Sequence, residues 1–267
     1  MNLGSQNSKD YLWLHLRDLP YFRALIRAVE AHFYQDLNLP SPRLDIGSGD
    51  GHFAHTTFEE PIDVGIDPWE GPIRKAVQLG AYRLLVQGEA GKMPFPDSFF
   101  GSALSNSVLE HISHIDEVLL EINRVLRPGA PFVFSVPNPA YFSELDIPAK
   151  LNRIGLPGLG RLYTEWFRRI SRVYHADTPD EWQTRLERSG FRIERWWHYF
   201  SPQAMRVLEW GHYLGVPTLL PHILFDRWIL VPARWNLTFI ERLIRPYAST
   251  EPHAKGTFTF YIACKQP

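Results

Sequence analysis

The sequence predicts an α/β protein: a parallel sheet with helices on both faces, in a single domain that carries helical insertions. Three observations carry this. From residue 43 onward, short strand-like runs alternate with helix-like ones. The first of these strands runs directly into a glycine-rich turn followed by a helix. A chain of 267 residues, 45% hydrophobic and 21% charged, is long and apolar enough to bury one sizeable core.

In chain order, Phe22, Leu25, Ile26, Val29 and Phe33 recur at helical spacing, with Arg23, Arg27 and Glu30 between them. Pro40-Ser41-Pro42 ends that helix region. Strands follow at Arg43–Ile46, Ile62–Ile66, Tyr82–Val86, Phe100–Ser105 and Pro131–Val136. Helices are expected at Phe53–Phe58, Ile73–Leu79 and Ile115–Leu126, the last stopped by Arg127-Pro128-Gly129. Leu159, Leu162, Tyr163, Trp166, Phe167, Ile170 and Val173 make one apolar helix face, flanked by Arg161, Arg168, Arg169 and Arg172. Thr178-Pro179-Asp180-Glu181 has the form of a capping box with proline at the first helical position, and Gly190 closes that helix. Two further strands are Phe191–Phe200 and Gly256–Cys264. The roughly 55 residues between them are too many for a bare loop. They are assigned helices at Pro202–Tyr213 and Asn236–Arg245, with a proline-broken apolar piece between.

A single cysteine, Cys264, excludes an internal disulfide framework and a cysteine-rich zinc site, which suits a cytoplasmic protein. Residues 1–10 are polar and read as no secretory signal, and no uninterrupted apolar run reaches 18 residues. Residues 1–149 carry 11 Lys+Arg against 19 Asp+Glu, whereas residues 150–267 carry 17 against 10. The acidic front half argues against nucleic acid as a partner. The basic, Trp-rich back half suits an anionic substrate or peripheral contact with an anionic membrane. Tyr213–Pro232 is apolar but interrupted by prolines and charges, so it could lie in a membrane interface without crossing it.

The chemistry concentrates at Leu44-Asp45-Ile46-Gly47-Ser48-Gly49-Asp50-Gly51. Glycines at alternate positions between a strand and a helix let backbone pass close under a ligand, at the strand end where open α/β sheets bind nucleotides. Asp45 beside that cradle repels phosphate and favours a cationic group, which disfavours a hydride-transfer cofactor with its pyrophosphate. Asp67 ends the second strand and can accept hydrogen bonds from both hydroxyls of a ribose, while Pro68 and Trp69 offer an apolar face to a base.

Further blocks follow at Gly88-Glu89-Ala90-Gly91-Lys92-Met93-Pro94-Phe95-Pro96-Asp97, Ser105-Asn106-Ser107-Val108-Leu109-Glu110-His111 and Leu119–Gly129. In order and spacing, residues 43–138 resemble the class I S-adenosylmethionine-dependent methyltransferases, particularly the type 11 group. The resemblance implies a seven-stranded, doubly wound Rossmann-like sheet whose final strand is antiparallel. It implies S-adenosylmethionine as cofactor, with Asp45, Gly47, Gly49 and Gly51 on its methionine side. Asp67 would hold the ribose, Pro68 would lie against the adenine, and Glu89 and Ala90 at its edge. Ser105 and Asn106 would lie under the methionine part. Glu89 stands where the family often has Asp, and Gly101 where it usually has Asp.

The expected reaction is in-line methyl transfer to a small-molecule, glycan-precursor or lipid-linked acceptor, with oxygen as the accepting atom. The alternative is a non-catalytic binding protein on the same fold. A hydroxyl acceptor needs a base, and His111 and His175 are the candidates. Tyr141 is a pocket-wall candidate, and no residue spacing suggests a metal. The domain plan is a single methyltransferase domain over 1–267: a cap at 1–39, the cofactor core at 40–140, a helical insertion at 141–176, and the rest of the sheet at 177–267 with an insertion at 201–255.

Overall fold

The computed structural model describes residues 9–267, so the first eight residues of the expected cap lie outside the described part. Seven strands form one sheet: β1 Arg43–Ile46, β2 Ile62–Asp67, β3 Tyr82–Gln87, β4 Ser102–Asn106, β5 Pro131–Pro137, β6 Phe191–Tyr199 and β7 Phe258–Lys265. Their order is β3-β2-β1-β4-β5-β7-β6. The first five run parallel, and β7 is antiparallel to both β5 and β6. This is the doubly wound, Rossmann-like sheet expected. Strand order reverses between β1 and β4, which opens a crevice beyond their carboxyl ends. The register places Asp45 beside Gly65 and Leu104 in the middle of the sheet, and Asp67 beside Gln87.

Among the described residues, twelve α-helices accompany the sheet. They are α1 Tyr11–Leu16, α2 Tyr21–Phe33, α3 His52–Thr57, α4 Glu70–Leu79, α5 Ile115–Val125, α6 Ala140–Ser143, α7 Asp146–Arg153, α8 Pro157–Ser171, α9 Pro179–Arg188, α10 Pro202–Leu214, α11 Leu219–Phe225 and α12 Arg234–Ile244. The sheet buries both faces. Phe132 and Phe134 of β5 pack with α5 and α9 through Leu119, Ile122, Trp182 and Leu186. Val133 between them faces the opposite core, with Leu25 and Val29 of α2 and Met205 of α10. Alternation along a strand sends successive side chains to opposite layers.

Local signals explain several boundaries. Thr178 and Glu181 form the reciprocal capping box: the Thr178 hydroxyl accepts from Glu181 N, and the Glu181 carboxylate accepts from Thr178 N at 2.7 Å. β4 begins at Ser102, later than expected, because Phe100 makes only an isolated bridge to Leu126. Gly101 has a steric reason. A Cβ there would lie 2.7 Å from the carbonyl oxygens of Pro40 and Ser41, so an aspartate does not fit.

Two helices are less regular than their apolar patterns. The polar residues of α2 do not all face water: Glu30 is fully buried. The apolar face expected over 159–173 is split: α8 ends at Ser171, Phe167 and the following Val173 are buried, and Leu159, Leu162, Trp166 and Ile170 stand exposed. Core space beside α8 is already filled by Tyr141 and His212 packed on Phe167.

Candidate active site

Three glycines shape the turn after β1, and the first two line the crevice. Gly47, Gly49 and Gly51 all have positive φ, at 76°, 55° and 74°. A Cβ on Gly47 would strike Val108 at 2.4 Å, so this position needs close packing as well as a left-handed backbone. At Gly49 the nearest atom to such a Cβ is a backbone oxygen 4.0 Å away. The side chain would project into open space, which the glycine keeps clear for a ligand.

That space is a cavity of about 580 Å³. Asp45, Gly47, Gly49, Asp67, Pro68, Trp69, Glu89, Ala90, Asn106 and His111 all line it, joined by Arg23 and Arg27 of α2. The Asp67 carboxylate accepts from Gly49 N at 3.0 Å and Trp69 N at 2.9 Å. It ties the end of β2 to the cradle and retains lone pairs on both oxygens. Asp45 accepts from the Tyr82 hydroxyl at 2.6 Å. Burial pushes its carboxyl up to about 7; the Tyr82 bond and Arg27 oppose that rise, and Asp67 adds to it.

Asn106 belongs to a buried polar cluster centred on Glu30. The Glu30 carboxylate accepts from Arg27 Nη1 (3.0 Å), Asn106 Nδ2 (2.7 Å), Ser107 Oγ (2.6 Å), Tyr199 OH (2.9 Å) and Ser135 Oγ (3.3 Å). Donors from α2, from the ends of β4 and β6 and from β5 thus converge on one carboxylate. Arg27 also donates to the Asn106 carbonyl at 3.2 Å, which fixes α2 over the end of β4. Arg23, one helical turn before Arg27, forms no ion pair among the described residues and lines the same cavity.

His111 sits on a short 3-10 turn after β4. Its Nδ1 donates to the Arg172 carbonyl at 2.9 Å, because a carbonyl can only accept. Nε2 therefore keeps its lone pair. Burial holds the imidazole below its usual pKa and Arg27 adds to this, against the bond to Arg172. His111, Arg23 and Arg27 also line a second cavity of about 250 Å³, so they stand between the two spaces. Glu110 and Tyr141 line the second cavity as well. Burial raises the Glu110 carboxyl to about 8, so it is mostly neutral at pH 7. Its Oε2 has no partner among the described residues, and its Oε1 lies 3.9 Å from His111 Nε2.

Three sequence candidates fall outside these cavities. Gly51 packs against α4 instead, where a Cβ would lie 2.9 Å from the Cβ of Ala76. Ser105 is fully buried inside the sheet, and its hydroxyl donates to the Ile46 carbonyl at 3.0 Å. His175 does not line either cavity: its Nδ1 lies 3.5 Å from Asp177, which Arg185 holds from the other side at 3.2 Å. Conversely, sequence reading overlooked Arg23, Arg27, Glu30, Tyr82 and Glu110 as site residues. The one visible signal was Arg23-x3-Arg27-x2-Glu30, a polar stripe on an otherwise apolar helix. Among the described residues, no group of three or more His, Cys, Asp or Glu side chains could hold a metal ion.

Strand order, glycine cradle and the acidic end of β2 together define a class I, S-adenosylmethionine-dependent methyltransferase fold. Residues 44–134 match the family model described as a methyltransferase domain. Over 112 residues the chain is 32% identical to the malonyl-[acyl-carrier protein] O-methyltransferase of Methylococcus capsulatus, covering 40% of this chain and 41% of that protein. It is 32% identical over 133 residues to a ubiquinone/menaquinone biosynthesis C-methyltransferase of Brucella canis, covering 49% and 43%. The chain thus spans less than half the length of these two curated relatives. The crystal structure of a SAM-dependent methyltransferase from Thermotoga maritima aligns with a TM-score of 0.57 at 16% identity, covering 92% of this chain and 91% of that one. S-adenosylmethionine is the cofactor of this class. The residues present fit it: an open cradle at Gly49, a carboxylate pair at Asp45 and Asp67, and an apolar wall at Pro68 and Trp69.

Proposed function

We propose that this chain transfers a methyl group from S-adenosylmethionine to an oxygen atom of a small-molecule, glycan-precursor or lipid-linked acceptor held in the second cavity. The observation that carries this reading is the meeting of two cavities at His111, whose Nε2 is free to take a proton. When bound, S-adenosylmethionine supplies a methyl group already activated by its sulfonium charge.

The chain's work is positioning and proton management. Asp67 holds the ribose hydroxyls, Pro68 and Trp69 flank the base, and Glu89 and Ala90 lie at its edge. Asp45 and the cradle glycines take the methionine side, with Asn106 beneath. His111 accepts the proton of the acceptor hydroxyl at Nε2, and the neutral Glu110 donates a hydrogen bond to an acceptor oxygen. Arg23 offers an uncompensated guanidinium to an anionic group between the cavities. The helical segments 9–39, 141–176 and 201–255 act as covers that exclude water from the reacting atoms. Holding the acceptor in line removes several kcal/mol of barrier. A carbon acceptor, as in the Brucella relative's name, would share the cofactor residues; the free imidazole lone pair and neutral acid favour oxygen. The same reading includes peripheral contact with an anionic membrane where the acceptor is lipid-linked.

Two substitutions test these roles. Asp67→Ala removes charge-assisted bonds to the ribose and loosens the cradle at Gly49, so cofactor affinity should fall by about 1.5–3 kcal/mol without unfolding. Calorimetric titration of S-adenosylhomocysteine into both proteins reads this, and equal affinities would sink the assignment. His111→Gln should leave cofactor affinity unchanged and lower kcat by about 100-fold, measured as transfer of labelled methyl to an acceptor. The base is the neutral imidazole, which burial holds below the ordinary histidine pKa. At saturating cofactor, kcat of the unsubstituted protein should therefore rise with pH on the acid side and level off by neutrality, and the Gln variant should lack that limb. A variant with unaltered kcat and pH profile would remove His111 from the mechanism. Absence of any methyl transfer with tight cofactor binding would favour the non-catalytic alternative.

A further inference from the structure

We infer that the outer face of α11 and α12 is a docking surface for an anionic phospholipid bilayer. The inference deepens the proposed function: a surface-bound enzyme would meet a lipid-linked acceptor at the edge of its cofactor cavity. In most amphipathic helices the apolar residues point inward. Here α11 carries Leu219, Leu220, Ile223, Leu224 and Phe225, and all five are exposed, Ile223 by 76%. α12 is anchored by buried Leu237 and Ile244, yet its opposite side presents Trp235 and Phe239, exposed by 78% and 80%, and Leu243 one turn on. Isolated apolar residues on a surface need no explanation, but two helices with this many large exposed side chains mark a contact surface. Among the described residues, no helix is long and apolar enough to cross a membrane, so the contact is interfacial.

Charge identifies the occupant. Between residues 214 and 245 the acids are Asp226 and Glu241, and the strong bases are Arg227, Arg234, Arg242 and Arg245. Both acids are already engaged: Asp226 by Lys75 at 2.5 Å, and Glu241 by Arg245. Arg227 and Arg242 are exposed and form no ion pair among the described residues. A symmetric contact between two copies would oppose these arginines with no free carboxylate to pair them. A bilayer supplies both missing components, acyl chains for Ile223, Phe225 and Phe239 and phosphates for the arginines. Trp235 suits the boundary between the two.

The same segment reaches the site. The Lys75–Asp226 pair ties the end of α11 to α4, whose Pro72 lines the cofactor cavity. The His222 ring stacks on Trp228 with centroids 4.0 Å apart, and the Arg23 guanidinium lies 5.9 Å from the Trp228 ring. Arg23 lines both cavities. A face bound to lipid would therefore hold the cavity edge close to the headgroups.

The test is co-sedimentation of the full chain with sucrose-loaded vesicles. One set is pure phosphatidylcholine, and the other is equal parts phosphatidylcholine and phosphatidylglycerol. Binding is expected to the mixed vesicles at low salt, and to weaken at high salt. The double variant Arg227→Gln/Arg242→Gln should partition about 25-fold less, at roughly fivefold per arginine. Ile223→Ser/Phe239→Ser should partition about tenfold less or worse. No binding of the unsubstituted chain to mixed vesicles, or equal binding of all three proteins, overturns the inference. So does a dimer in sedimentation velocity that both double variants abolish without vesicle binding, which would give the face to a second copy. S-adenosylhomocysteine is titrated into each protein in parallel. Absent vesicle binding by the unsubstituted chain with intact cofactor binding overturns docking alone; a failure of the unsubstituted chain to bind cofactor overturns the enzymatic reading and leaves docking standing.

Discussion

Gly49→Val is expected to abolish measurable cofactor binding while the protein still folds. The position has φ +55°, a region in which a β-branched residue is strained. Backbone strain of this kind costs about 1–3 kcal/mol, which a domain of this size can absorb. The larger effect is on the ligand. Nothing but a backbone oxygen at 4.0 Å approaches a Cβ placed there, so the new side chain keeps its position and occupies the cradle itself. Gly49→Ala, with one carbon, should weaken binding less. Calorimetry with S-adenosylhomocysteine gives the affinity, and circular dichroism melts check the fold. A valine variant that binds as tightly as the parent would show that the ligand lies elsewhere.

Glu30→Ala is expected to be the most destabilising single substitution in the site, at about 3–5 kcal/mol. The cost comes from the groups left behind. Asn106 Nδ2, Ser107 Oγ and Tyr199 OH each lose an acceptor in a region with little or no solvent, and Arg27 loses its counter-charge. Glu30→Gln keeps an acceptor oxygen and should lose less. Urea denaturation followed by fluorescence reads both. A loss under about 1 kcal/mol for the alanine variant would mean that the cluster contributes little net stability. Because Asn106 lines the cofactor cavity, the alanine variant should also bind cofactor more weakly than its folded fraction accounts for.

The sheet was legible because its central strands are buried on both faces and read as short apolar runs between glycine and proline punctuation, while the half-exposed edge strands β3 and β6 still carry branched and aromatic residues. All seven strand locations emerge from that pattern, as does the capping box at Thr178. The cradle, Asp67 and His111 were legible because strand-end residues in an open α/β sheet have few places to point. Ser105 shows where such reading needed one more step. Adjacent residues on a strand face opposite layers, so Ser105 and Asn106 could not both enter the cavity. Glu30 was not legible in its true role. A glutamate among apolar residues at helical spacing looks solvent-facing, and the donors that allow its burial come from residues 76 to 169 positions away. His175 lies outside both cavities, and no residue pattern in its loop shows this; its observed neighbour is Asp177, 3.5 Å from Nδ1. Helix α1 has only six residues and α7 eight, too short for a periodic signal.

The proton on Asp45 makes ligand binding and acidity two views of one equilibrium. In the free protein its carboxyl ionises at about 7, compared with about 4 in an unfolded chain. Between those values the folded state holds a proton that the unfolded state has released, so this residue's contribution to stability declines as pH climbs from about 4 to 7 and is constant above. A cation bound beside it favours the ionised form and expels that proton. Cofactor affinity should accordingly increase with pH up to about 7 and then plateau. The heat of binding at pH 6 should change with the ionisation enthalpy of the buffer, and Asp45→Asn should remove that dependence. The melting temperature gained from saturating cofactor should be greater at pH 8 than at pH 5. Through one buried carboxyl, the occupancy of the cofactor site becomes responsive to the acidity of its surroundings.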